Sequence, residues 1–326
     1  MVKQMSVVVR IAFGALLAAV TSSAMAQSFP TKPIRLIVPY PAGGPTDAAG
    51  RYVARGIEEN LGQPAVVENR PGNSGIIGLD SVAGAPADGY TLALAGSPIT
   101  SYPALIKGYK ANLTERLAPI TLAVTGLTAI FIPASFNVST MQELVAYSRA
   151  NPGKVNFGTA GLSWTMLAHQ KLNKKYNLQM THIPYQGSSN AQVALLRSDI
   201  QLYLGGVVPF IPLVKDGKLK ALTVFAKERS PLFPDAQSVQ EAGLEEFKDV
   251  EPLWYGVMAP QGTPGAIINR LQDAIAQKLR SAEAREQLGR VGLYVVGSSA
   301  PDFGRQIAID TKYWTQVGKE VAFEPQ

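Results

Sequence analysis

Short apolar runs alternate along the chain with stretches whose apolar positions recur at helical spacing. Residues 34–40 read Ile-Arg-Leu-Ile-Val-Pro-Tyr and end in Pro41-Ala42-Gly43-Gly44-Pro45, which predicts a buried strand entering a glycine loop. A helix is predicted next, with Thr46 or Asp47 as its cap, because a short oxygen side chain there satisfies free amides of the first turn. Ala49, Val53 and Ile57 give that helix one apolar face. The unit recurs as a strand at 65–68, a loop at 69–75, a short helix to residue 85 and a strand at 90–95 after the Asp88-Gly89 turn. Such alternation predicts a parallel sheet covered by helices.

A second set follows. Residues 128–132 predict a strand, and Thr140-Met141-Gln142-Glu143 forms a capping box for a helix that stops near Asn151-Pro152-Gly153. Strands are then expected at 155–158, 182–185, 200–204 and 219–225, building a second sheet. The runs at 120–124 and 254–258 fall where one set hands over to the other, and are expected to be crossing strands that act as a hinge. Thr263-Pro264 reads as a cap with proline at the first helical position, followed by Ile267, Leu271 and Ile275 on one face. After a last strand at 293–296, a terminal helix starts near Pro301-Asp302 and carries Phe303, Ile307 and Trp314 as core residues. The expected organisation is a leader at 1–26, a discontinuous first domain at 27–124 and 253–326, and a second domain at 125–252.

The leader rests on Lys3 and Arg10, an apolar run at 11–20, and Ala24-Met25-Ala26, which places small residues where a signal peptidase reads them. Cleavage is expected after Ala26. The run is broken by Thr21-Ser22-Ser23, short of the about 20 apolar residues that a membrane span needs. The chain therefore reads as exported. It has no cysteine, which removes disulfides and thiolate chemistry together. Its formal net charge is +6, which falls by two with the leader, and its basic residues are scattered among acids. A nucleic-acid binder needs a basic stripe to neutralise phosphates, and none is present in the sequence.

The inventory for catalysis is thin. His169 and His182 are the two histidines, and neither lies in a metal-binding H-E-x-x-H arrangement. Gly161-Leu162-Ser163-Trp164-Thr165 approaches a hydrolase nucleophile elbow, but Thr165 stands where the sharp turn needs glycine. Instead, several loops at predicted strand ends supply small residues and lead into helices: 42–47, Gly96-Ser97, 159–165 and 186–190. In an open parallel sheet these positions face the ligand crevice. A helix N-terminus there presents unpaired amides and partial positive charge, so an anion can be held without a lysine or arginine.

Several motifs carry a resemblance. Val38-Pro39-Tyr40-Pro41-Ala42-Gly43-Gly44-Pro45-Thr46-Asp47, Val67-Glu68-Asn69-Arg70-Pro71-Gly72 and Asp88-Gly89-Tyr90-Thr91-Leu92 resemble the Bug-type (TctC-like) receptors of tripartite tricarboxylate transporters. His182-Ile183-Pro184-Tyr185-Gln186-Gly187, Trp254-Tyr255-Gly256 and Ala259-Pro260-Gln261-Gly262-Thr263-Pro264 continue it in the same order. The resemblance implies an α/β, type II periplasmic-binding-protein-like fold, with two α/β domains, a hinge of crossing strands and an interdomain cleft. It implies no catalysis, with a small carboxylate and membrane transporter subunits as partners; no cofactor or metal is expected, and a monomer is the default expectation. Carried over by position, Tyr40, Ala42, Gly43, Gly44, Thr46 and Asp47 form the first jaw, with Ser97 beside them. Thr159, Ala160, Gly161, Ser163, Thr165, Tyr185, Gln186 and Gly187 form the second. Trp164 is a departure from the family's small residues, open to stacking on a ligand or to core packing. Gln201 stands where relatives often place an aspartate, and a neutral amide cannot balance an ammonium, so the ligand is expected not to be an amino acid. Two other functions are kept open: a sensor subunit signalling to a membrane kinase, and a serine hydrolase using Ser163 with His182.

Overall fold

In the computed structural model, which describes residues 29–185, 188–247, 253–290 and 292–325, the apolar runs form two sheets. The first has the order β11-β4-β10-β3-β1-β2, from β1 (Ile34–Val38), β2 (Ala65–Asn69), β3 (Thr91–Gly96), β4 (Leu117–Gly126), β10 (Trp254–Pro260) and β11 (Leu293–Val295). The second has the order β7-β6-β8-β5-β9, from β5 (Thr128–Pro133), β6 (Asn156–Ala160), β7 (Thr181–Tyr185), β8 (Leu202–Gly206) and β9 (Leu219–Val224). β1 runs parallel to β2 and β3, and β6 runs parallel to β7 and β8. The sheets are not purely parallel. β10 lies antiparallel between β3 and β4, and β5 lies antiparallel between β8 and β9.

Those antiparallel strands are where the chain changes sheet. β4 and β5 are separated by Leu127 alone, so one extended segment serves both lobes. Leu253, leading into β10, lies beside it: the Gly126 amide donates to the Leu253 carbonyl at 2.8 Å. A Cβ on Gly126 would meet the Leu253 side chain at 2.7 Å, and one on Gly206 of the second sheet would meet it at 3.1 Å. Two glycines thus let the crossing segments touch.

Helices α1 (Pro45–Leu61), α2 (Ile76–Ala83), α6 (Gly265–Leu279), α7 (Ala282–Arg290) and α8 (Ala300–Glu320) belong to the first-sheet segments. Helices α3 (Met141–Ala150), α4 (Trp164–Tyr176) and α5 (Ser188–Leu196) belong to the second. The Thr140 capping box forms, with the Thr140 hydroxyl accepting from the Glu143 amide at 3.1 Å. Two other caps differ from expectation. Gly44, not Thr46 or Asp47, precedes α1, because Pro45 takes the first helical position. Likewise α6 starts at Gly265 after Pro264, and the Thr263 hydroxyl turns back to donate to the Pro260 carbonyl at 2.8 Å. Among the described residues, no helix is long and apolar enough to cross a membrane.

Helix α8 packs against both lobes. Its first half places Phe303 and Ile307 in the first lobe's core, and the Asp310 carboxylate accepts from the indole N–H of Trp254 in β10 at 2.8 Å. Its second half joins the other lobe. Trp314 tilts over Trp164 with ring centroids 5.3 Å apart, and Val317 shares their apolar cluster. Tyr313 donates to the Glu246 carbonyl at 2.8 Å, and Lys171 pairs with Glu320 at 3.2 Å. The rings of this contact are buried, so it carries most of the energy, whereas the half-exposed ion pair adds little. Trp314→Ala should therefore lower the stability to urea by about 3–5 kcal/mol, with Trp314→Phe much milder; equal stability of wild type and Trp314→Ala would mean the contact carries nothing.

Candidate functional site

The first-lobe jaw is the turn between β1 and α1. Asp47, 4% exposed, is in the first turn of α1, and its carboxylate folds back over the loop. It accepts from the Gly43 amide at 3.1 Å, from Arg51 Nε at 2.9 Å and from Asn69 Nδ2 at 3.1 Å. The same Asn69 amide donates to the Tyr40 carbonyl at 3.0 Å, so β2 holds both ends of the turn. Burial alone would push the Asp47 carboxyl up, but the bonds from Gly43, Arg51 and Asn69 prevail and hold it below its ordinary value. Gly43, at φ 84°, takes the left-handed conformation that this fold-back requires. Its amide is engaged by Asp47. The amides of Thr46 and Asp47 belong to a first helical turn that has no carbonyl of its own to offer them. Gly44 caps the helix, Ala42 is exposed at the tip, and Ser97 is buried in the turn that follows β3.

The second-lobe jaw is the turn between β6 and α4. The Gly161 amide donates to the Tyr185 carbonyl at 2.9 Å, tying the tip to the end of β7, where Tyr185 pairs with Ala160. Ser163 is the residue before α4, and its hydroxyl shares a hydrogen bond with Thr165 Oγ1 at 2.7 Å. The Thr159 hydroxyl is bonded to His182 Nε2 at 2.6 Å. As in the first jaw, the glycine shapes the loop, and the amides of Trp164 and Thr165 stand in a first helical turn without an intrahelical acceptor.

The tips meet. Leu162 N–H donates to Ser74 Oγ of the first lobe at 3.1 Å, and a Cβ on Gly161 would stand 3.4 Å from the same oxygen. Phenol rings gather behind this contact. The side-chain-free position of Gly96 lies within 3.3 Å of the Tyr40 hydroxyl and 3.5 Å of the Tyr255 ring. Tyr203 of the other lobe is pushed up by burial and, to a lesser degree, by the nearby Tyr255. Burial, first of all, pushes Tyr40, Tyr203 and Tyr255 above the ordinary tyrosine value, so they stay neutral and able to donate.

Other expected site residues are elsewhere. Gln201 sits at the start of its strand, where its carbonyl accepts from the Asn156 amide at 2.9 Å and its amide donates to the Ser198 carbonyl. Asn156 opens β6 and the jaw follows the end of β6, so Gln201 lies at the far end of the sheet and says nothing about an ammonium on the ligand. Trp164 is 3% exposed between Trp314 and Phe225, a core residue rather than a stacking surface. Gln186 and Gly187 lie outside the described residues. The hydrolase pairing is not assembled: Ser163 bonds to Thr165, and His182 bonds to Thr159. His169 is buried against Phe157, and burial, with His182 adding to it, drops its pKa to about 4. Among the described residues, no group of three or more His, Asp or Glu could hold a metal.

Sequence reasoning gave no role to Arg51, Asn69, Ser74, Tyr102, Tyr203 or Tyr255. Asn69 and Tyr255 did lie inside quoted motifs. Ser74, Tyr102 and Tyr203 carried no local signal, because their partners are far along the chain, whereas Arg51 stood at i+4 from Asp47, a spacing that could have shown the pair.

With the geometry set out, the chain can be compared with known proteins. The family model described as "Tripartite tricarboxylate transporter family receptor" matches residues 49–323. The chain belongs to that family. The receptor is 31% identical over 306 residues to protein BugT of Bordetella pertussis, covering 93% of each chain. It superposes on periplasmic binding protein BugD with a TM-score of 0.78 at 28% identity, covering 91% of this chain and 100% of that one. A protein from R. palustris solved with adipate gives 0.81 at 27% identity over 91% of this chain and all of the other. The two-lobed α/β fold is thus that of the periplasmic binding proteins.

Since the folded Asp47 carboxyl ionises below its ordinary value of about 4, its stabilising effect is complete above that pH and is lost as pH falls through the lower folded value. Asp47→Asn keeps one acceptor but loses the charge facing Arg51. It should lower the melting temperature at neutral pH and remove part of the decline on the acid side; a melting curve matching wild type at both pH values would show that Asp47 does not fasten the jaw.

Proposed function

We propose that the receptor captures a small organic acid between its lobes in the periplasm and hands it to membrane subunits of a transporter, catalysing nothing itself. The supporting observation is the contact between the lobes beside the two glycine turns, where Leu162 N–H, one residue before the cap of α4, donates to Ser74 in the loop after β2. Each helix N-terminus carries about half a positive charge, so two of them offset about one carboxylate charge. Neutral tyrosine and threonine hydroxyls around Tyr255 supply further donors, so the site needs no cation. Thr46, Asp47, Trp164 and Thr165 would give backbone donors; Tyr40, Tyr203 and Tyr255 would face the rest of the ligand. The family and the adipate-bound neighbour point to the same ligand class.

The lobes would close about the crossing strands, the bound acid favouring the closed arrangement by its greater affinity for it. Export would follow from the leader expected at 1–26, which lies outside the described residues, and the receptor would act as a monomer. Native mass spectrometry of the receptor purified gently from the periplasm should show a one-to-one complex with an acid of low mass that dissociates on denaturation. A ligand-free mass, together with no heat on titration with mono- and dicarboxylates including adipate, would sink this function.

A further inference from the structure

Ser74 belongs to the first lobe but is bonded to the second. It sits in the turn Asn73–Gly75 that follows β2, where Asn73 at φ 44° and Ser74 at φ 53° are both left-handed. L side chains seldom adopt that conformation, and a pair in succession persists only where the surroundings hold it. Here Tyr102, buried in the first lobe, does so by donating its hydroxyl to the Ser74 carbonyl at 2.6 Å. So fixed, the Ser74 hydroxyl reaches across the cleft and accepts from Leu162 N–H at 3.1 Å. The approach depends on Gly161, whose φ of 65° and missing side chain leave Ser74 Oγ its place. Leu162 directly precedes Ser163 and the first turn of α4, whose amides have no intrahelical acceptor. Glycine at position 74 would take this backbone conformation freely. A serine there is conformationally costly, and what it adds is the hydroxyl.

We propose that Ser74 is a positioning residue that latches the jaws, holding the first turn of α4 against the first lobe whether or not a ligand is present. This deepens the binding reading above and rests on it for its purpose, though not for its test. With the latch made, the closed arrangement is favoured beforehand and an acid has less reorganisation to drive. Ser74 would then change affinity for every ligand by the same factor, because it touches the opposing loop and not the ligand.

The chain lacks cysteine, so spin labels can be placed at Glu58→Cys on α1 and Lys154→Cys ahead of β6, both exposed, without background. Electron–electron distances are measured on the full receptor, with and without adipate as the probe. Without adipate, the receptor should show a dominant short distance. Ser74→Ala and Ser74→Gly should each shift the closed-to-open ratio about tenfold toward open, the loss expected of one hydrogen bond. Tyr102→Phe should shift it the same way by freeing the turn. Ser74→Gly should also raise the melting temperature, since glycine relieves the left-handed backbone; a more stable protein with looser jaws cannot be explained by simple unfolding. Identical distance distributions for wild type, Ser74→Ala and Ser74→Gly would overturn the latch. A receptor that is latched yet binds no carboxylate would leave the latch standing and remove the proposed function instead.

Discussion

Holding an anion with peptide amides alone requires that those amides be aimed before the anion arrives, because a flexible loop would lose on ordering what it gained on binding. Each lobe meets this requirement in its own way. In the first, the buried Asp47 carboxylate gathers the Gly43 amide, Arg51 and Asn69 around one turn. In the second, the Gly161 amide is tied to Tyr185 and the Ser163 hydroxyl to Thr165. The glycines of both loops therefore act as shape, and in the proposed reading donation falls to the helix turns behind them. A lone buried carboxylate would repel an anion; Asp47 is paired with Arg51 and its other donors.

The two jaws are useful only if they face one another, and three connections between the lobes bear on that. The crossing segments at 126–128 and the start of β10 touch through Leu253. Helix α8 spans from the β10 side to Trp164, so the same helix that binds Trp254 through Asp310 also packs against α4. Ser74 bonds to Leu162 of the other lobe. These three connections involve different residues, so each can be altered by itself.

Much of this was legible from the sequence, because strands and helices announce themselves by local period: each run from 34–40 to 293–296 became a strand within a few residues of its expected ends. The glycine loops at the strand ends were legible too, since glycine and proline punctuate such ends. What escaped was long-range. Nothing local told that Trp314 would leave the first lobe for the second, or that Ser74 would meet Leu162, because such pairs are chosen by the closing of the chain in space. Gln201 failed for a related reason: aligning it to a position in relatives gave its place in the chain but not which end of the strand it occupied. Asp47 was read as a cap or a ligand contact, and instead became the fastener of the jaw, a role set by Asn69 on the neighbouring strand.

The central claim is that one acid is shared between helix turns of different lobes. Receptor labelled with nitrogen-15 threonine reports on both at once, through the amides of Thr46 and Thr165. On addition of the acid that the purified receptor carries, both resonances should move together and gain protection from solvent exchange, at the same ligand concentration. If neither moves while threonines on the outer face of α8, such as Thr311 and Thr315, respond instead, the ligand lies elsewhere and the account is wrong.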